Sequence, residues 1–175
     1  MVKLKRYTII GIIFTVILGV IGHFVYDLTG RNFVAGLFFP INESTWEHMK
    51  LVFFPMLLYS LFAERKLKDE SECISKAYML GILAGTFAIP VIFYTYSGIL
   101  GYNLAWLNIL TFVVSVIIGF IVVYVVAKNC KNDKGTQLLK GIIFALTIAF
   151  MVFTYYPPNI GLFSEELSVE TFSWY

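Results

Sequence analysis

An all-α, polytopic membrane bundle is the fold class this sequence predicts, and three observations lead to it. Of its 175 residues 59% are hydrophobic and only 14% charged, against about 25% charge in an ordinary soluble domain. The apolar residues gather into blocks near the roughly 20 residues needed to cross a bilayer. The charges gather between those blocks, with the basic ones on alternate connections. Little chain remains for an independent soluble domain, so 1–175 reads as one membrane domain.

Five spans are expected, near residues 7–28, 47–63, 77–97, 103–127 and 138–156. The first runs from Tyr7 to Leu28 behind Lys3, Lys5 and Arg6. Its apolar run continues through Val25 without a small-x-small cleavage signal, which favours a retained helix over a signal peptide. No lipidation motif is evident. The segment 32–41, NFVAGLFFPI, reads as an interfacial or re-entrant hairpin. The second span is short and contains Pro55, which points to a kink or tilt. The third contains Pro90 and closes at Ser97-Gly98, with Gly101 and Asn103 completing a turn into the most lipid-like block, Leu104 to Val126. The fifth ends before Pro157-Pro158. Residues 157–175 then form an external segment, interfacial or covering, in which Glu165, Glu166 and Glu170 argue against a sixth span.

Orientation follows from the basic residues. Lys3, Lys5 and Arg6, then Arg65, Lys66, Lys68 and Lys76, then Lys128, Lys131, Lys134 and Lys140 make eleven of the 13 basic residues. They fall on one side of a five-span layout, and only Arg31 and Lys50 fall on the other. This predicts a cytosolic N-terminus and an external C-terminus. Scattered over short loops, these charges suit orientation better than a nucleic-acid surface. Lys66, Lys68 and Lys76 are candidates for contact with anionic lipid, a case weakened by Asp69, Glu70 and Glu72. Cys73 and Cys130 lack the spacing of a metal knuckle or a disulfide framework and are expected as reduced cytosolic thiols.

Two small-residue stripes carry packing information. Gly11, Thr15, Gly19 and Gly22 share one face of the first span; Ala77, Gly81, Gly85 and Ala88 share one of the third. Small residues let helix backbones approach closely in lipid. The expectation is contact between the first and third spans, with dimerisation as the alternative.

Polar residues concentrate on the predicted outer side. His23 and Asp27 are four apart, hence on one helical face; Asp27 has three possible uses, orienting an imidazole, sharing a metal, or pairing with Arg31. Asn42, Glu43, Ser44, Thr45, Trp46, Glu47, His48 and Lys50 lead directly into the second span. Ser44 and Glu47 fit the S-x-x-E capping box, with Asn42 a rival cap. Trp46 is expected as an interfacial anchor, the alternative being a pocket cover. Ionisable groups at this depth face a cavity or a partner more readily than lipid.

Asn42, Glu43, Trp46, Glu47, His48 and Lys50, with His23 and Asp27, are therefore polar-cavity candidates. Tyr94 and Asn108 join them from the third-to-fourth connection, where Tyr96, Tyr102 and Trp106 read first as an aromatic belt. A divalent metal would recruit His23, Asp27, Glu47 and His48, although adjacent Glu47 and His48 project about 100° apart on an ideal helix and no H-E-x-x-H motif is present.

The segment Phe39-Pro40-Ile41-Asn42-Glu43-Ser44-Thr45-Trp46-Glu47-His48-Met49-Lys50, with His23-x-x-Tyr26-Asp27 and Phe153-Thr154-Tyr155-Tyr156-Pro157-Pro158, resembles a family of small uncharacterised multipass membrane proteins from Gram-positive bacteria. The resemblance covers nearly the whole chain, thinning after Leu162. It implies a bacterial cytoplasmic membrane and carries no activity. Three functions are weighed: an outer-side cavity for a small molecule or ion, with transport as one use; a metal-assisted hydrolase; and a structural subunit binding other membrane helices or a second copy. Membrane lipid is the partner common to all three.

Overall fold

The computed structural model describes residues 2–165. Among these described residues six α-helices follow in order: α1 Val2–Leu28, α2 Phe33–Phe38, α3 Thr45–Leu67, α4 Ile74–Leu100, α5 Ala105–Lys128 and α6 Thr136–Tyr155, with a 3-10 turn at Gly161–Phe163. The long helices contain the five expected spans but for a residue or two at their edges. Both internal prolines, Pro55 and Pro90, are accommodated without ending a helix.

Successive long helices run antiparallel. Gly11 of α1 faces Tyr59 of α3 and Phe120 of α5, whereas Gly19 faces Leu51 and Phe112. Gly81 and Gly85 of α4 lie against Val123 and Ser115 of α5, and Phe150 of α6 lies against Phe53 of α3. One end of the bundle therefore carries the C-termini of α1, α4 and α6 with the N-termini of α3 and α5. The other carries the chain start and the loops 68–73 and 129–135.

Helix α3 is the core: 14 of its 23 residues are buried, against five in α1. Around it α1, α4, α5 and α6 turn apolar side chains outward, among them Ile13, Ile17, Phe24, Val91, Ile109, Ile121, Phe144 and Ile148, a surface suited to lipid. These four are long and apolar enough to cross a membrane. Helix α3 is not among them, so length and composition alone support four spans rather than five. Its charges explain why: Glu47 and Lys50 near one end and Glu64, Arg65 and Lys66 near the other leave only residues 51–63 uncharged between them.

Both small-residue stripes are buried inside the chain, but they do not meet each other. The α1 stripe packs on α3 and α5; the α4 stripe packs chiefly on α5, where a Cβ at Gly81 would come within 2.6 Å of the Gly119 carbonyl oxygen. The expected contact between the first and third spans is replaced by these two interfaces because α3 occupies the space between them. The two cysteines also differ from expectation. Cys73 and Cys130 are joined in a disulfide with Cα atoms 5.8 Å apart, since pairing α4 with α5 brings the loops before one and after the other together.

Candidate functional site

Helix α1 ends in a left-handed turn, with Gly30 and Arg31 at positive φ and the Arg31 amide donating to the Tyr26 carbonyl. Asn32 then caps α2, its side chain accepting from the amides of Val34 and Ala35. The chain reverses within this short hairpin and re-enters the bundle at α3. Asn42 Oδ1 accepts from the Ser44 amide at 3.1 Å, and Ser44 Oγ accepts from the Glu47 amide at 3.4 Å. Half of the capping box is thus formed. Glu47 does not return to the Ser44 amide, because its carboxylate is used elsewhere.

That use is a buried polar knot. Glu47 and Lys50 have side chains 2% and 0% exposed, and Lys50 Nζ lies 2.7 Å from Glu47 Oε2. The same oxygen accepts from the Ile41 amide at 3.0 Å, and Oε1 accepts from the Thr154 hydroxyl of α6 at 2.9 Å. Lys50 Nζ also donates to the Gly36 carbonyl at 2.9 Å. Two charges removed from water are tolerable only when paired and hydrogen-bonded, and here both are. The knot fastens the hairpin to α3 and α6, fixing the loop that carries Glu43.

Glu43 faces two imidazoles. Its Oε1 lies 3.7 Å from His23 Nε2 and its Oε2 lies 3.4 Å from His48 Nε2. The two rings stack at a centroid distance of 5.5 Å. One donor atom from each of His23, Glu43 and His48 falls within 4.8 Å of the others. His48 Nδ1 sits 3.0 Å from the Ser44 carbonyl; a carbonyl only accepts, so Nδ1 carries the proton and Nε2 is turned to the cluster. With the ring protonated, Nε2–H donates to Glu43, and that hydrogen bond holds the Glu43 carboxyl below its ordinary range, against the opposing effect of desolvation; with the ring neutral, Nε2 offers a lone pair instead. The side chains are partly exposed, at 31% for His23, 58% for Glu43 and 29% for His48, so a solute reaches them.

The other candidates are engaged separately. Asp27 pairs with Arg31 at 3.2 Å on the exposed surface, and Glu47 belongs to the knot. Trp46 is only 6% exposed and packs on Phe150 and Phe163 at 4.5 and 4.8 Å. It is thus a core residue, correcting the expectation of an interfacial anchor. Asn108 Oδ1 accepts from the Tyr96 hydroxyl, tying α5 to α4. Tyr94 lines an open groove with Pro90, Val91 and Thr95 and donates to the Gly161 carbonyl at 3.3 Å. The segment after α6 crosses this end of the bundle, where Ser44 and Glu165 form an antiparallel bridge. Of the acidic residues noted in the tail, Glu166 and Glu170 lie outside the described residues.

Thr154 is the participant that sequence reasoning missed. Its signals were its place in the resembling segment Phe153 to Pro158 and at the end of an apolar block, and neither points to Glu47; the hydroxyl also lies 2.7 Å from the Phe150 carbonyl of its own helix.

No curated protein and no solved structure matches this chain. The model of one family, described as a family of unknown function, does match, over residues 1–171. With nearly its entire length inside that match, the protein belongs to DUF6512.

Proposed function

We propose that this protein is a five-crossing integral membrane protein that binds a divalent transition-metal ion through His23, Glu43 and His48. The observation that carries the reading is the convergence of those three donors, from α1, the hairpin loop and α3, within 4.8 Å of one another. Zinc–donor bonds of about 2.0–2.2 Å in a tetrahedron set neighbouring donors roughly 3.4 Å apart. Each Glu43 oxygen lies near that spacing from one imidazole, Oε1 3.7 Å from His23 Nε2 and Oε2 3.4 Å from His48 Nε2, and a turn of the carboxylate brings one oxygen toward both. Support also comes from the Ser44 carbonyl behind His48, since a ligating imidazole commonly donates its second N–H to such a partner.

Five crossings are supported by the antiparallel order of the long helices, and by the burial of α3 behind the four apolar ones. A bacterial cytoplasmic membrane, with the N-terminus cytosolic and the site outside, is supported by the basic residues collected at the opposite end and by the family resemblance. Metal-assisted hydrolysis is the second reading. It is favoured by the donor set, two imidazoles and one carboxylate, which leaves a coordination position for water.

The test is metal retention and cobalt titration on detergent-purified protein, comparing wild type with Glu43→Ala and His48→Ala. One ion per wild-type chain, lost in both folded variants, is the expected result. A wild type that takes up neither zinc nor cobalt overturns the proposal. Retention in the Glu43→Ala variant removes Glu43 from the ligand set.

A further inference from the structure

The end of the bundle opposite the histidines holds a second chemical feature. Cys73, at the start of α4, and Cys130, just past α5, are bonded across 57 residues of sequence. The two loops are held together independently of that bond. Lys76 Nζ, three residues after Cys73, donates to the Lys134 carbonyl at 2.9 Å and to the Asn132 carbonyl at 3.4 Å, a tie between the two segments that does not pass through the sulfurs. Basic residues outnumber acidic ones here, with Arg65, Lys66, Lys68, Lys76, Lys128, Lys131 and Lys134 against Glu64, Asp69, Glu70, Glu72 and Asp133, and the residues beside Cys130, from 128 to 132, include two lysines and no acid. The cysteines are unequally accessible, with Cys73 1% exposed and Cys130 only half-buried, between the exposed Lys128 and Lys131.

We propose that Cys73 and Cys130 form a reversible thiol–disulfide pair, opened and closed by exchange with an anionic low-molecular-weight thiol of the glutathione type, with Cys130 the sulfur that carries the mixed disulfide. Placing this end in the cytosol rests on the orientation proposed above. There the thiol pool is reducing, and a disulfide is transient rather than a permanent staple. The lysines beside Cys130 raise the local concentration of an anionic reagent, and its exposure admits the attack that the burial of Cys73 denies.

In the opening direction, the thiolate of one small thiol attacks Cys130 Sγ. The bond to Cys73 breaks, and Cys73 leaves as a thiolate that takes up a proton. A second small-molecule thiolate attacks the reagent's own sulfur in the adduct, freeing Cys130 and producing the small-molecule disulfide. Two electrons and two protons pass to the protein, and closing is the same sequence reversed.

The experiment equilibrates the full-length protein, folded in detergent and without oxygen, against buffers of reduced and oxidised glutathione. Acid quenching and intact-mass analysis after thiol labelling follow. Wild type is expected to pass between dithiol and disulfide in both directions while remaining folded. With oxidised glutathione, Cys73→Ser is expected to accumulate one adduct, on Cys130, whereas Cys130→Ser reacts at least about tenfold more slowly. A wild-type disulfide that resists excess reduced glutathione until the protein unfolds overturns reversibility, and needs no variant to be seen. Equal reaction of the two folded variants overturns the role of Cys130. Labelling intact cells with membrane-impermeant and permeant maleimides decides the side of the membrane separately; an external location would remove the orientation and leave the exchange chemistry standing.

Discussion

Lys50 and Glu47 stand one helical turn apart, and each is satisfied through the other and through groups brought from elsewhere, backbone for both and the Thr154 hydroxyl for Glu47. Removing one partner leaves a charge in a place water does not reach. Lys50→Ala is accordingly expected to destabilise the protein by about 3–5 kcal/mol, whereas Lys50→Met combined with Glu47→Leu loses less than either disruption alone. Unfolding in detergent measures both. Ser44→Ala, removing the cap on the Glu47 amide, is expected to cost about 1 kcal/mol. Asp27→Ala is expected to leave metal retention intact, because Asp27 is committed to Arg31 at the surface; loss of the ion in that variant would return Asp27 to the site. The histidines and Glu43 were legible as candidates, but the grouping of His23 and His48 with Asp27 and Glu47 differs from the cluster they form with Glu43. Helical periodicity orders side chains along a helix. It says nothing of a glutamate in the loop before one, whose direction depends on how the hairpin folds back.

Among the elements, long apolar blocks read clearly because crossing a bilayer imposes length and composition together. The small-residue stripes were visible for the same reason, yet a stripe states that something packs closely and not which helix does so. The partner of α4 is decided by α3 filling the middle of the bundle. Substituting Leu at Gly81, where Gly119 backbone already closes the space, is expected to cost about 1–3 kcal/mol or more. Substituting Leu at Gly141, with nothing near its Cβ position, is the matched control, and thermal unfolding of the two in detergent makes the comparison. Trp46 was misplaced by composition alone, since a tryptophan at a helix start suits an interface until an aromatic set from α6 and the 3-10 turn encloses it. The link between Cys73 and Cys130 was not legible either, because it depends on α4 and α5 pairing.

At the scale of the whole molecule, the histidine cluster and the cysteine pair occupy opposite ends, so the proposed topology puts them on opposite faces of the membrane. Single cysteines introduced at Tyr102 and at Asn129, in a chain with Cys73 and Cys130 changed to Ser, are expected to label from opposite sides of intact cells. Labelling from the same side would refute the five-crossing layout.

The burial of α3 has a consequence for biogenesis. Its two charged ends leave a short apolar middle, and its core face is made to meet helices rather than lipid. In the proposed five-crossing layout such a segment is expected to be a poor substrate for the insertion machinery by itself, becoming stably integrated once α4 and α5 have emerged to enclose it. A chain truncated shortly after α3 is then expected to leave that segment outside the bilayer, and one extended through α5 to hold it in, a difference that protease protection of the two translation products measures.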